Sequence, residues 1–170
     1  PAGTSEEVHM QLMVVGNAET KAQNLPVYMA YDTGTGTREK DTQRVSLMVQ
    51  RRPSFKITFY RPLPEMIMAG QPFPLPIELL NTGTARFSIP TLEATGDAFE
   101  FTDESNTTYV GTLEPGGSWT LDATAIPIQA GTLDVVVNAH YVNDLNQTEI
   151  YSEVLTVEVT DMPEPALPEG

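Results

Sequence analysis

Cysteine is absent from this chain of 170 residues. Disulfides, thiolate zinc sites and cysteine nucleophiles are thereby excluded together. Basic residues are scarce: nine Lys and Arg stand against 23 Asp and Glu, a net charge of −14. A surface of that sign repels phosphate backbones and anionic lipid headgroups, so neither nucleic acid nor a membrane surface is an expected partner. The longest apolar runs fall far short of the ~20 residues that a bilayer-spanning helix needs. No window holds a helical period for more than a turn or two. No leader of basic, apolar and small residues opens the sequence either. It starts at Pro1 rather than methionine, which reads as a processed or excised piece of something longer.

What is present points to strands. Prolines number 14 and glycines 12, as suits many short strands and turns. The clearest stretch is Gly131–Thr160. Leu133, Val135, Val137, Ala139 and Tyr141 alternate with polar or outward residues. A polar gap follows over Val142–Gln147. Alternation resumes with Leu155, Val157 and Val159 against Thr156 and Glu158. Period-two patterning on both sides of an Asn/Asp loop predicts a long antiparallel hairpin with one buried face.

Most of that hairpin occurs twice. Leu25–Gln50 slides onto Val135–Thr160 without a gap: Val27 falls on Val137, Tyr31 on Tyr141, Glu39 on Glu149 and Val49 on Val159. Farther upstream, Met10, Leu12 and Val14 resemble Trp119, Leu121 and Ala123 in spacing, with a small shift. A repeat of about 110 residues is the size of one immunoglobulin-like sandwich. The fold expected is therefore all-β: one complete Ig-like β-sandwich, 54–160, preceded by the C-terminal half of another, 1–53, and followed by a Pro/Glu-rich linker or tail, 161–170.

In the half unit, strands are predicted at Val8–Val15, Leu25–Tyr31 and Val45–Val49, with Pro26 marking an edge or a bulge. In the complete unit, Phe55–Tyr60 opens the sheet and Phe73–Leu80 has one buried side. Asn81-Thr82-Gly83 turns the chain into Ala85–Leu92 as its partner strand. Ala98–Phe101, the turn Leu113–Gly117 and Ser118–Ala125 complete a count of about seven strands before the tail. Trp119 is expected in or beside the core, and the seven methionines are expected to fill core and interface gaps.

The order of these turns resembles a known family. Asn81-Thr82-Gly83, Leu113-Glu114-Pro115-Gly116, Ile126-Pro127 before Ala130-Gly131, and a strand ending in Tyr141 before a final Val-rich strand look like the CARDB-like and NEW3-like, S-layer-associated repeats. These are extracellular Ig-like repeats of bacterial and archaeal surface proteins. The resemblance covers 54–160 fully and 8–50 as a half unit. It implies a tandem spacer or accessory domain of a cell-surface or secreted protein, without family-wide catalytic residues.

Candidate chemistry is thin. His9 and His140 are the only histidines, each alone on its strand with no carboxylate or serine at triad spacing. Calcium takes several oxygen ligands from loops. Asp103 and Glu104 in one loop, and Asn143, Asp144 and Asn146 in another, are the candidate ligands; Asn106 and Glu149 lie beside them. Hairpin turns use Asn and Asp for their own backbone reasons, and that reading has priority. Asn106-Thr107-Thr108 and Asn146-Gln147-Thr148 match the glycosylation sequon.

No enzyme is expected, and no cofactor beyond those calcium candidates. The expected function is a structural or adhesive module, a spacer or protein-interaction domain. Its partners would be other domains of a longer surface protein, or another chain through strand pairing. The alternative is a carbohydrate-binding accessory domain of a secreted glycoside-active enzyme, with polysaccharide as the partner.

Overall fold

The computed structural model describes residues 5, 7–15, 18–102 and 104–163. The chain divides into two compact units, 1–51 and 52–170. All the regular structure among the described residues is β.

The larger unit begins with β3 (Phe55–Phe59) and β4 (Phe73–Asn81). Then come β5 (Phe87–Thr95), β6 (Phe99–Phe101), β7 (Thr107–Thr108) and β8 (Gly111–Leu113). It closes with β9 (Ser118–Pro127), β10 (Gly131–Val142) and β11 (Thr148–Val159). One sheet has the order β3-β4-β9-β6. The other runs β11-β10-β5, with β7 and β8 paired to β5. These orders are the A-B-E-D and G-F-C arrangements of an Ig-like sandwich. Met68 forms a parallel bridge with Thr160, so the chain leaves the first sheet after β3 and touches the second at β11.

Alternation explains the core. Leu75, Ile77 and Leu79 of β4 and Leu121, Ala123 and Ala125 of β9 face Ile89, Leu92 and Ala94 of β5 and Val135, Val137 and Ala139 of β10; all are buried. Burying each large aliphatic is worth about 1.5–3 kcal/mol. At one pole, Phe55 meets Phe87, Tyr141 and Tyr151 edge-on, with ring centroids 5.5, 5.9 and 5.5 Å away. Trp119 pairs in register with Leu79 at this pole and is 41% exposed, beside the core rather than in it.

The smaller unit contains one antiparallel pair, β1 (Ala22–Asp32) and β2 (Arg38–Met48). Its register reproduces β10–β11 with an offset of 110 at every position. Ala22 opposes Met48 and Asp32 opposes Arg38, as Thr132 opposes Glu158 and Val142 opposes Thr148. The turns match too. Thr33 N donates to Thr37 O and Gly36 N to Thr33 O; Asn143 N donates to Gln147 O and Asn146 N to Asn143 O. Gly36 and Asn146 both hold positive φ, 78° and 59°.

Several expectations are corrected. Val8–Val15 forms no strand. Its counterpart β9 is held between β4 and β6, and the described residues of unit 1–51 supply neither. Ala85–Leu92 does not pair with the strand before it. β4 and β5 lie in different sheets, because the chain crosses between layers after Asn81. A register shift near Ser88–Thr91 accommodates Pro90 in β5 as a bulge. β2 starts at Arg38, seven residues before the apolar stretch that marked it, because Arg38–Arg44 is polar on both faces. The nine strands β3–β11 exceed the seven expected, since β7 and β8 are short edge pieces. None of the seven methionines is buried.

Candidate functional site

The outer face of the β11-β10-β5 sheet carries a polar side-chain network. Antiparallel register places Asn138 opposite both Glu93 of β5 and Ser152 of β11, and His140 two residues farther on. His140 Nε2 lies 3.0 Å from Glu93 Oε1. Asn138 Nδ2 donates to the same oxygen at 3.4 Å, and Ser152 Oγ donates to Asn138 Oδ1 at 2.6 Å. His140 therefore does have a carboxylate partner, half-buried rather than open to solvent. The expectation of an isolated histidine fails because Glu93 is 47 residues away and meets it only through strand pairing. The serine contacts the amide, not the imidazole, so no nucleophile–base pair is assembled. The four side chains form a ladder across a sheet face.

The calcium candidates divide between two poles. Asp103 lies outside the described residues. Glu104 sits in the loop before β7 at φ 54°, and Asn106 fastens that loop to Ala94 through both its backbone oxygen and its side-chain amide. Asn143, Asp144 and Asn146 occupy the β10–β11 turn, which follows Val142 opposite Ser88. Ala94 and Ser88 are six residues apart on β5, roughly 20 Å, so the two clusters cannot share an ion. Within the turn, Asn143 Oδ1 accepts from Leu145 N and Gln147 N, both at 2.9 Å. Its Nδ2 donates to Glu149 Oε1 at 2.6 Å. That carbonyl is committed to turn geometry. Among the described residues no group of three or more His, Asp or Glu is arranged to hold a metal.

Tyr141 closes this pole. Its hydroxyl donates to Glu149, its cross-strand neighbour, as Tyr31 donates to Glu39 in the smaller unit. Burial, reinforced by the adjacent carboxylate, pushes the Tyr141 phenol up to about 12. The same hydrogen bond, with that from Asn143, lowers the Glu149 carboxyl below the usual carboxylate value. On the outer face of the other sheet, Tyr60 donates to Asp122, which lifts its phenol, and the Arg61 guanidinium lies 5.4 Å from the Tyr60 ring.

The exposed aromatics of unit 52–170 do not form a strip. Tyr60 follows β3 on the outside of its sheet, Trp119 points inward at a pole, and Tyr109 stands between β7 and β8 on the opposite sheet. A shallow depression of about 390 Å³ between Gly96–Ala98 and Thr132–Val136 is bordered by Asp97 and Asp134 and holds no aromatic ring.

The start and end of the larger unit are set by a clamp between its edge strands. Ile57 N donates to Glu153 Oε2 at 2.6 Å, and Tyr151 hydroxyl donates to Phe55 O at 2.9 Å. The chain thus enters beside Tyr151. β11 then continues to Thr160, about nine steps of ~3.3 Å, so the chain leaves roughly 30 Å away at the other pole.

No family model matches this chain, and no curated protein matches it. Among solved structures it is similar to the ASH/PapD-like domain of human CEP192 (PapD-like domain 7), at 17% identity and a TM-score of 0.36, over 64% of this chain and 87% of that one.

Proposed function

We propose that this chain is a non-catalytic structural or adhesive module of a cell-surface or secreted protein, of the CARDB-like kind, acting as a spacer and protein-interaction unit. The observation that carries this reading is the polar separation of the two ends of unit 52–170. The unit begins at the Phe55–Tyr151 contact and ends at Thr160. Repeats joined through such ends add length instead of folding back on one another. The recurrence of the β10–β11 hairpin at an offset of 110 supports a tandem arrangement. The polar groups nearest to a catalytic set, His140, Glu93 and Ser152, lie on an open sheet face without the contacts that acyl transfer needs.

The test is mechanical. The full chain, held by handles at both termini and stretched, loads the β3–β11 clamp. Unit 52–160 should give way in a single force peak, with a gain in length of about 350 Å for its ~109 residues. Release in several small steps without a peak would remove the spacer reading. Protection of Trp119 or Tyr109 fluorescence by a soluble polysaccharide would instead favour carbohydrate binding.

A further inference from the structure

The inner face of the β1–β2 hairpin is apolar at Leu25, Val27, Val45 and Leu47, yet none of these is buried. Its positions correspond one-to-one with those of β10–β11, which lie under the opposite sheet and beside β5. Val27, Tyr31 and Val49 repeat Val137, Tyr141 and Val159 unchanged. Three opposed inner pairs change at both members, while Val137 opposite Glu153 changes at one, to Val27 opposite Gln43. Val135 opposite Leu155 becomes Leu25 opposite Val45. Ala139 opposite Tyr151 becomes Met29 opposite Asp41, and Leu133 opposite Val157 becomes Gln23 opposite Leu47. In each pair a gain in bulk on one strand accompanies a loss on the other. Of these, Leu25 opposite Val45 keeps an all-apolar pair, as a packed face requires.

Two further observations agree. Val8–Val15 keeps the alternation of β9 but is not a strand, with Met10, Leu12 and Val14 exposed at 67%, 56% and 61%. Met10 and Met29 lie exposed at positions that repeat the inward Trp119 and Ala139, and methionine is the residue that adapts best to a docking partner.

We propose that residues 8–48 are the closing part of a second Ig-like sandwich, and that they dock a half-sandwich polypeptide equivalent to β3–β8, residues 55–113. The inference rests on the tandem-module reading above. The incoming half adds its β5-equivalent strand to the edge of β1 that β2 leaves free, and its β4-equivalent orders Val8–Val15 as a strand. Pro26 blunts only the end of that edge, since its counterpart Val136 lies opposite Thr95, the last residue of β5. The partner must lack a closing hairpin of its own. A second copy of this chain does not qualify, because its half is already closed by β10–β11 and fastened through Tyr151 and Glu153.

The experiment compares amide hydrogen exchange in the full chain with that in the full chain extended at its N-terminus by a second copy of residues 52–113. Val8–Val15 and the alternate β1 amides that point away from β2 should slow by about 100-fold or more in the extended chain. Val27→Asp should abolish the slowing while β3–β11 stay protected. A control extension, in which residues 8–48 are replaced by a copy of 117–158, shows whether the added half folds when closed by its own strands. Slowing in that control without slowing in the test chain overturns the proposal. Protection of Val8–Val15 in the unextended chain also overturns it: if independent of concentration, a segment of the same chain covers the face, and if dependent, a second copy does. The force peak of 52–160 is counted separately from the extension of residues 8–48 in series with it, so either reading can fail while the other stands.

Discussion

Asn81 is the buried polar side chain of the described core, and both ends of its amide are used. Oδ1 accepts from Gly83 N at 3.0 Å, while Nδ2 donates to Ala85 O at 2.8 Å and to Leu113 O at 3.1 Å. The side chain thereby ties the crossover between sheets to the turn before β9. Asn81→Ala removes all three bonds, one of them to the buried Leu113 carbonyl, and should cost about 2–4 kcal/mol, read from the urea midpoint. Asn81→Asp should be worse, since a carboxylate would face two carbonyl oxygens. Turn chemistry made Asn81-Thr82-Gly83 visible in the sequence. The bond to Leu113, 32 residues on, was not visible, because it depends on where the far turn arrives. The same holds for His140 and Glu93. Tyr141 gives a residue-scale test in alkali. Its folded phenol is held near 12 against an ordinary value of 10. The neutral form is therefore favoured in the folded state, and its contribution is complete below pH 10 and lost as pH rises towards 12. Over that window the wild type should lose up to about 2 kcal/mol more stability than Tyr141→Phe. Tyr151 and Tyr60 are also raised, so the variant should flatten the decline without removing it. Equal alkaline slopes for the two proteins would contradict this assignment.

At the scale of elements, what a strand can do depends on what lies beside it. The β10–β11 hairpin was legible as an antiparallel pair around a polar turn, because alternation, the turn and a short separation are all local; the register, which begins at Val142 opposite Thr148, was not read from the sequence. Its copy was legible for the same reason, and the offset of 110 holds at every pair. Val8–Val15 shows the limit: alternation records a preference for a sheet, but hydrogen-bond partners decide whether the sheet forms. The crossover from β4 to β5 was read as a hairpin because both patterns are strands joined by a short turn, and nothing local tells one sheet from two. The β3–β11 clamp belongs to this class of contact. Glu153 takes the place of a backbone acceptor for Ile57 N where two sheet edges meet. Glu153→Ala should cost about 1–2 kcal/mol by stranding that amide, and Glu153→Gln should recover more than half, since it keeps an acceptor at the same reach. Thermal unfolding of the three proteins at neutral pH measures both. If Gln is as damaging as Ala, the negative charge matters rather than the bond.

Across the whole molecule, stability should be unevenly shared. Every buried apolar side chain among the described residues belongs to unit 52–170, from Phe55 to Val159. In unit 1–51 the described residues are all exposed or half-exposed, and the only sheet has two strands. Such a hairpin is marginal in water, because it orders its backbone without removing much apolar surface. Opening of β1–β2 should therefore cost little, while β4, β5, β9 and β10 open only with the whole sandwich. Thermolysin, which cuts before large apolar residues, finds Val8, Leu12, Val14 and Leu25 in the accessible part. Brief digestion of the full chain should remove residues 1–51 first and leave a resistant fragment starting near Arg52. The cleavage rate within 1–51 should be almost independent of variants that destabilise the sandwich, such as Asn81→Ala. Loss of the resistant fragment should instead track them, since cleavage there follows the population of the opened sandwich. If both units are cut at rates that change together in Asn81→Ala, they unfold as one cooperative body, and the uneven distribution of burial does not govern their stability.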